Sequence, residues 1–205
     1  MRVLIIGAGG FSAEVVDLLA TLGHQVVGYY DASPPAERGY GAGAPPIGDS
    51  LDGWEADAAA WAIGDCAARE KLASDVSSRF EMPRFIHPSA IVSPSALLGE
   101  GTILMENAVV KANVRIGAHC ILNVGCCVGH DAEVGAFVHL APGVQMGGGS
   151  RVGTGVFCGT NATVLPYKSV GDWSICGAGC VVTKDLPEGW VAVGSPARAI
   201  REVGR

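Results

Sequence analysis

The sequence predicts two parts of different fold class: an α/β unit over residues 1–83 and an all-β parallel helix over residues 84–205. Three observations carry this. The first thirty residues read as strand, glycine turn, helix and strand. The texture of the chain changes near Pro83. Beyond it, a six-residue period runs without insertion from Phe85 to Leu186, and a fixed short period marks a stacked repeat.

In the first part, RVLIIG is a short apolar strand ending in glycine. Val15, Leu18, Leu19 and Leu22 then fall on one stripe of a helix, and HQVVGYYD supplies a second strand. This is half of a Rossmann-like unit, whose turn offers backbone N–H groups at a helix N-terminus. A dinucleotide fingerprint requires a third glycine where Ser12 stands, so NAD is not favoured. The Pro/Gly-rich stretch from Ser33 to Ser50 reads as a loop able to cover a substrate. His24, in the turn LGHQ, reads as a solvated side chain.

In the second part, the second place of every hexad is apolar, from Ile86 and Val92 through Leu140 and Met146 to Val182. The sixth place is mostly small, with Lys168 and Leu186 as the large exceptions, and glycine recurs at the third. One inward aliphatic and one inward small residue per six describe short strands joined by tight corners, with three strands and eighteen residues per coil. Glycine is read as serving the sharp turns. The period also accounts for cysteines: Cys158 and Cys176 stack one coil apart at the inward place, and Cys120, Cys126 and Cys180 take the small inward place. Buried packing suits them better than reactivity. The flat faces of such a prism favour self-association.

Composition excludes several classes. A net charge of -6, with 14 Lys and Arg spread thinly, leaves no electrostatic footprint for a nucleic-acid backbone. No apolar run approaches the ~18 residues of a membrane span, and MRVLIIGAGG falls short of a signal core, so the reading is cytoplasmic. Seven cysteines without a C-x-x-C pair suggest neither a disulfide framework nor a zinc knuckle.

The stretch NVGCCVGHDAEVGAFVHLAPG, Asn123 to Gly143, sets His130 and His139 nine residues apart, with Asp131 next to the first. Nine residues is half a coil, so the two lie on different sides of the prism. His130 follows the inward Val128 and Gly129, which puts it near a corner and pointing out. A site using both needs a cleft between parallel copies of the chain.

The pattern N-x6-H-D-x7-H-x2-P-G, together with the amino-terminal turn, resembles the bacterial nucleotide-sugar N-acetyltransferases and the related sialic-acid O-acetyltransferases. These are left-handed β-helix acyltransferases of hexapeptide-repeat type. The resemblance spans essentially the full length. It implies a left-handed coil, a homotrimer with active sites between subunits, and direct attack of a sugar amine on the thioester of acetyl-CoA. His130 would be the general base, and Asp131 would favour its imidazolium form. His139 and the backbone at Gly148, Thr160 and Ala178 would lie against acetyl-CoA. Gly148 is one coil beyond His130, ~4.8 Å along the same edge, where a missing side chain leaves room for the thioester and an N–H could meet the oxyanion.

The nucleotide-linked amino sugar would be held by Gly9, Gly10 and Phe11, by Asp31 and Ala32, and by Gly64 and Ala67. Phe11 and Ala32 depart from the family, which commonly has a histidine and a second acid there. His87, His119, His130 and His139 do not reproduce the ligand spacing of β-helical carbonic anhydrases, so no metal is expected. O-acetylation of a sugar hydroxyl, and a non-enzymatic β-helical scaffold, are the other readings of the same residues.

Overall fold

The computed structural model describes residues 1–32 and 46–204. Most of the Pro/Gly-rich stretch read as a substrate cover, residues 33–45, lies outside the described residues. Strand β1 (Arg2–Ile6) leads through a glycine turn into helix α1 (Phe11–Thr21), then β2 (Gln25–Tyr30), β3 (Ile47–Gly48), β4 (Ala58–Trp61) and helix α2 (Cys66–Arg79). The strands form one parallel sheet in the order β3-β2-β1-β4. Helix α1 carries the chain back from the end of β1 to the start of β2, which lets those two strands pair in parallel. Val15, Leu18 and Leu19 are buried, as the helical stripe requires, with Leu22 half-buried at the end. Asp65 caps α2 by accepting from the Ala68 N–H at 2.8 Å.

From β5 (Phe85–Ile86) to β21 (Val181–Val182) the chain forms seventeen two-residue strands, each at the first two places of a hexad. They stack as a left-handed parallel solenoid. Each strand pairs with the one eighteen residues on, as Ile121 with His139 and Leu122 with Leu140. Three sheets result. The first begins at Phe85–Ile86, the second at β6 (Ile91–Val92) and the third at β7 (Leu97–Leu98). The first is extended by β22 (Trp190–Val193) and the antiparallel β23 (Arg198–Glu202).

The second and sixth places fill the prism from Leu104 onward, with Val128, Leu140, Val164 and Val182 wholly buried. Cys120, Cys126, Cys158, Cys176 and Cys180 are buried among them. Burial pushes the Cys120 and Cys126 thiols up to about 12, so both stay protonated. Cys127, at an outward first place, is half-buried.

Glycine does two jobs, and the sequence reading assigned it only one. Fourteen successive fifth places, from Gly101 to Gly179, hold positive φ, and these are the corners. Glycine and asparagine suit them, but His119, Asp131, Phe137, Tyr167 and Trp173 also occupy them. The third-place glycines do not turn the chain. They let adjacent coils approach: a Cβ on Gly117 would lie 2.5 Å from the Ala136 nitrogen, and one on Gly129 2.6 Å from that of Gly148.

The α/β unit rests on the first sheet. Its core continues across the seam to Phe85, Ile103 and Met105. His24 is not simply solvated but packs edge-on against Phe85, ring centroids 5.6 Å apart, and burial lowers its pKa. Among the described residues no helix is long and apolar enough to cross a membrane.

Candidate active site

His130 stands at the corner that follows β12 (Cys127–Val128) in the second sheet. Its Nδ1 lies 2.7 Å from Asp131 Oδ2, with the two side chains 62% and 57% exposed. Adjacent residues of a strand would point apart, but Asp131 holds φ 59°, and this turn brings its carboxylate back to the ring. A carboxylate only accepts, so Nδ1 carries the proton and Nε2 presents a lone pair. Asn113, one coil earlier, donates to the other Asp131 oxygen at 3.0 Å. The bonds from His130 and then Asn113 hold the Asp131 carboxyl below its ordinary range.

Gly148 lies directly over that lone pair. A Cβ there would come within 2.5 Å of His130 Nε2 in this ring position, so the glycine leaves the nitrogen open. The Gly149 N–H donates to the His130 carbonyl at 2.8 Å and locks the two coils. Among the described residues the Gly148 N–H has no hydrogen-bond partner.

His139 has the opposite setting. It opens β14 (His139–Leu140) on the first sheet, 8% exposed, under the α/β unit. Its Nδ1 lies 2.9 Å from the Gly64 carbonyl, which can only accept, so this ring too is protonated at Nδ1. Its Nε2 is buried with no partner among the described residues. Phe157 meets the ring edge-on with centroids 5.2 Å apart, and Phe11 lies at 6.3 Å. Burial pulls the imidazole down to about 4, against the pull of the Gly64 bond, with Arg69 lowering it further.

Arg69 holds this seam together. It is wholly buried, and its guanidinium faces carbonyl oxygens from both parts of the chain. It donates to Ile63 at 2.8 Å, Gly64 at 3.1 Å, His119 at 3.2 Å, Phe137 at 2.7 Å and Val138 at 3.2 Å. Beside it, the Trp61 indole donates to His119 Nδ1 at 3.1 Å while His119 stacks on Phe137.

The other predicted residues divide between two places. Thr160 and Ala178 sit at the corner that follows the first sheet, one edge away from His130 and Gly148. Gly9 and Gly10 are exposed at the head of α1, with Phe11 half-buried behind them. One oxygen of Asp31 accepts from the Ala8 N–H at 2.8 Å, tying β2 to the glycine turn, and Ala32 is exposed beyond it. Gly64 and Ala67 flank Asp65 at the head of α2.

Thus the single chain brings His130, Asp131 and Gly148 together, and separately joins His139 to Gly64 and Phe11. It does not bring the two groups to one place. Asn113 and Arg69 were not singled out from sequence. Asn113 had a usable signal, lying one coil before Asp131; Arg69 had none in a run reading as an ordinary charged helix. Among the described residues no group of three or more His, Cys, Asp or Glu is placed to hold a metal ion.

The described geometry has close parallels. Residues 2–76 match the PglD N-terminal domain family. The perosamine N-acetyltransferase PerB of Caulobacter crescentus, solved with CoA and GDP-perosamine, is 37% identical over 98% of both chains, with a TM-score of 0.90. The chain belongs to the hexapeptide-repeat sugar acetyltransferases. The acetyltransferase domain of PglB from Neisseria gonorrhoeae is 33% identical over 97% of this chain and 99% of that one, TM-score 0.89. Among curated relatives, the galactoside O-acetyltransferase of Escherichia coli is 47% identical over 45 residues, which is 22% of either chain. The curated relatives therefore match a short stretch of this family member, and the solved structures match nearly all of it.

Proposed function

We propose that the protein transfers the acetyl group of acetyl-CoA to the amino group of a nucleotide-linked amino sugar. The observation that carries this reading is the exposed His130–Asp131 pair with the side-chain-free Gly148 over its Nε2. An amine attacks only through its lone pair, so an ammonium must lose a proton before or during attack. His130 Nε2 accepts that proton. The imidazolium so formed faces the Asp131 carboxylate, and the unpartnered Gly148 N–H is suited to the oxyanion of the tetrahedral intermediate. The amine is itself the nucleophile, so no acyl-enzyme is needed: the N–C bond forms, the C–S bond breaks and coenzyme A leaves as the thiol.

The cofactor residues Thr160 and Ala178 belong to a different edge from His130, and His139 to a face. A homotrimer that sets one subunit's edge against its neighbour's closes the site, and assembly is therefore part of the proposal. Gly9, Gly10, Phe11, Asp31, Ala32, Gly64 and Ala67 hold the nucleotide-sugar, and the chemistry uses no metal. The solved relatives with CoA and GDP-perosamine support the class of both substrates. The galactoside O-acetyltransferase keeps a second reading in view, with a sugar hydroxyl as acceptor.

Incubation with acetyl-CoA and a panel of UDP-, GDP- and dTDP-linked amino sugars, read as free thiol release, tests the reading. Release with an amino acceptor supports it. Release only with hydroxyl acceptors moves the chemistry to O-acetylation, and no release with any acceptor leaves a scaffold.

A further inference from the structure

A cavity of about 550 Å³ opens between the head of α2 and the far end of the first sheet. Ala67 and its neighbours form one wall, Phe157 and Ile175 the floor, Trp173 the corner, and Arg201 of β23 the opposite lip. None of the last four was assigned a role by the sequence or by the reaction proposed above.

Three features give the cavity a chemical character. Its floor and corner are aromatic and apolar. Trp173 occupies a fifth place with φ 57°, a conformation that glycine or asparagine takes more readily. Gly155, one coil below, has no Cβ where one would run into the indole. Two successive corners thus accommodate one large ring. Arg201 adds a cation at the lip. The back wall leads to His139, since Gly64 lines the cavity and accepts from His139 Nδ1, and Phe157 lines it and meets the imidazole edge-on. His139 Nε2 remains a buried acceptor without a partner.

A flat apolar ring beside a cation suits a ligand that is itself a flat ring carrying an anion. Stacking on the aromatic side chains would use the ring, and Arg201 would meet the negative group. The volume falls within the ordinary range of small-molecule sites.

We propose that this cavity binds a nucleotide moiety, with the base against Trp173 and Phe157 and a phosphate at Arg201. The proposal rests on the acetyl-transfer reading for the two sources of such a moiety, the nucleoside diphosphate of the sugar substrate and the adenosine 3′,5′-bisphosphate head of coenzyme A. Gly64 and Ala67 line the cavity as well as belonging to the residues assigned to the nucleotide-sugar, which favours the first source.

Calorimetric titration of the full chain with GDP, UDP and adenosine 3′,5′-bisphosphate tests it, comparing wild type with Trp173→Gly and Arg201→Gln. Glycine suits the Trp173 backbone, and Arg201 lies on an exposed strand, so both variants keep the fold; equal melting temperatures check this. Loss of a base stack raises Kd by roughly tenfold or more. Weakened GDP or UDP binding in both variants assigns the cavity to the sugar nucleotide, and weakened binding of the bisphosphate alone assigns it to the coenzyme; either supports a nucleotide site. Wild-type affinity for all three in both variants, or no binding by the wild type, overturns it. Thiol release measured in parallel separates the two proposals. Normal turnover with unaltered nucleotide affinity in the variants removes only the cavity, and weakened binding by a protein that never releases thiol removes only the reaction.

Discussion

His130 and His139 share a tautomer and differ in nearly everything that follows from their surroundings. Each donates from Nδ1 to an oxygen and leaves a lone pair on Nε2. At His130 the oxygen is a carboxylate on an open corner, so the cation formed on proton uptake meets a counter-charge and water. At His139 the oxygen is a neutral carbonyl in a closed seam beside Arg69, and the same cation would be desolvated and repelled. The hydrogen bond sets which nitrogen is free, and exposure and partner charge decide whether that nitrogen can take a proton. The first setting suits the base proposed above, and the second an acceptor that stays neutral until the pH falls toward 4.

The sharpest way to break this contrast is to remove what closes the seam. Arg69→Met strips the hydrogen bonds from five carbonyls and should lower the free energy of unfolding by about 4 kcal/mol, read as a reduced midpoint in urea with the β-helix signal retained longest. His130→Ala should cost about 10²-fold or more in kcat, or about 3 kcal/mol of barrier, with acetyl-CoA affinity little changed. Near-normal turnover would remove His130 from the role of base.

The seam histidine is tested by pH. Its native pKa lies near 4 and its unfolded value near 6.5, so the unfolded chain binds a proton that the native one refuses. Its contribution to stability is intact above about pH 6.5, is lost as pH falls toward 4, and levels off below, for a total of roughly 3 kcal/mol. As pH falls across that window, denaturation curves should show wild type losing roughly 3 kcal/mol more stability than His139→Leu; parallel curves would show that His139 is not the titrating group. A smaller effect is expected for Asp131→Asn, with kcat down about tenfold and KM for the sugar unchanged. Asn113→Ala should go the same way more weakly, because it acts through Asp131.

How much of this was legible in the sequence depended on how local the cause was. The strand at every first and second hexad place, the buried cysteine ladder and the outward His130 all follow from a period of six and could be read off by counting. Gly148 was legible for the same reason, since adjacency in a coil stack is a fixed interval of eighteen. The pairing of Asp131 with His130 required knowing that fifth places take positive φ, a fact about corners that fourteen residues reveal only together. The third-place glycines were found but misread, because their purpose is the close approach of a neighbouring coil.

By itself, then, the sequence determined the prism: an unbroken six-residue alternation of inward aliphatic, small residue and corner permits only one way to bury the apolar places. What surrounds His139 was decided by tertiary structure alone. Arg69, Gly64, Trp61 and His119 lie up to 75 residues from the groups they contact, and the acceptors are mostly backbone carbonyls, which every residue possesses and no sequence pattern marks. Docking of the α/β unit on the first sheet chose which carbonyls met which donors, and with them the charge state of a buried imidazole.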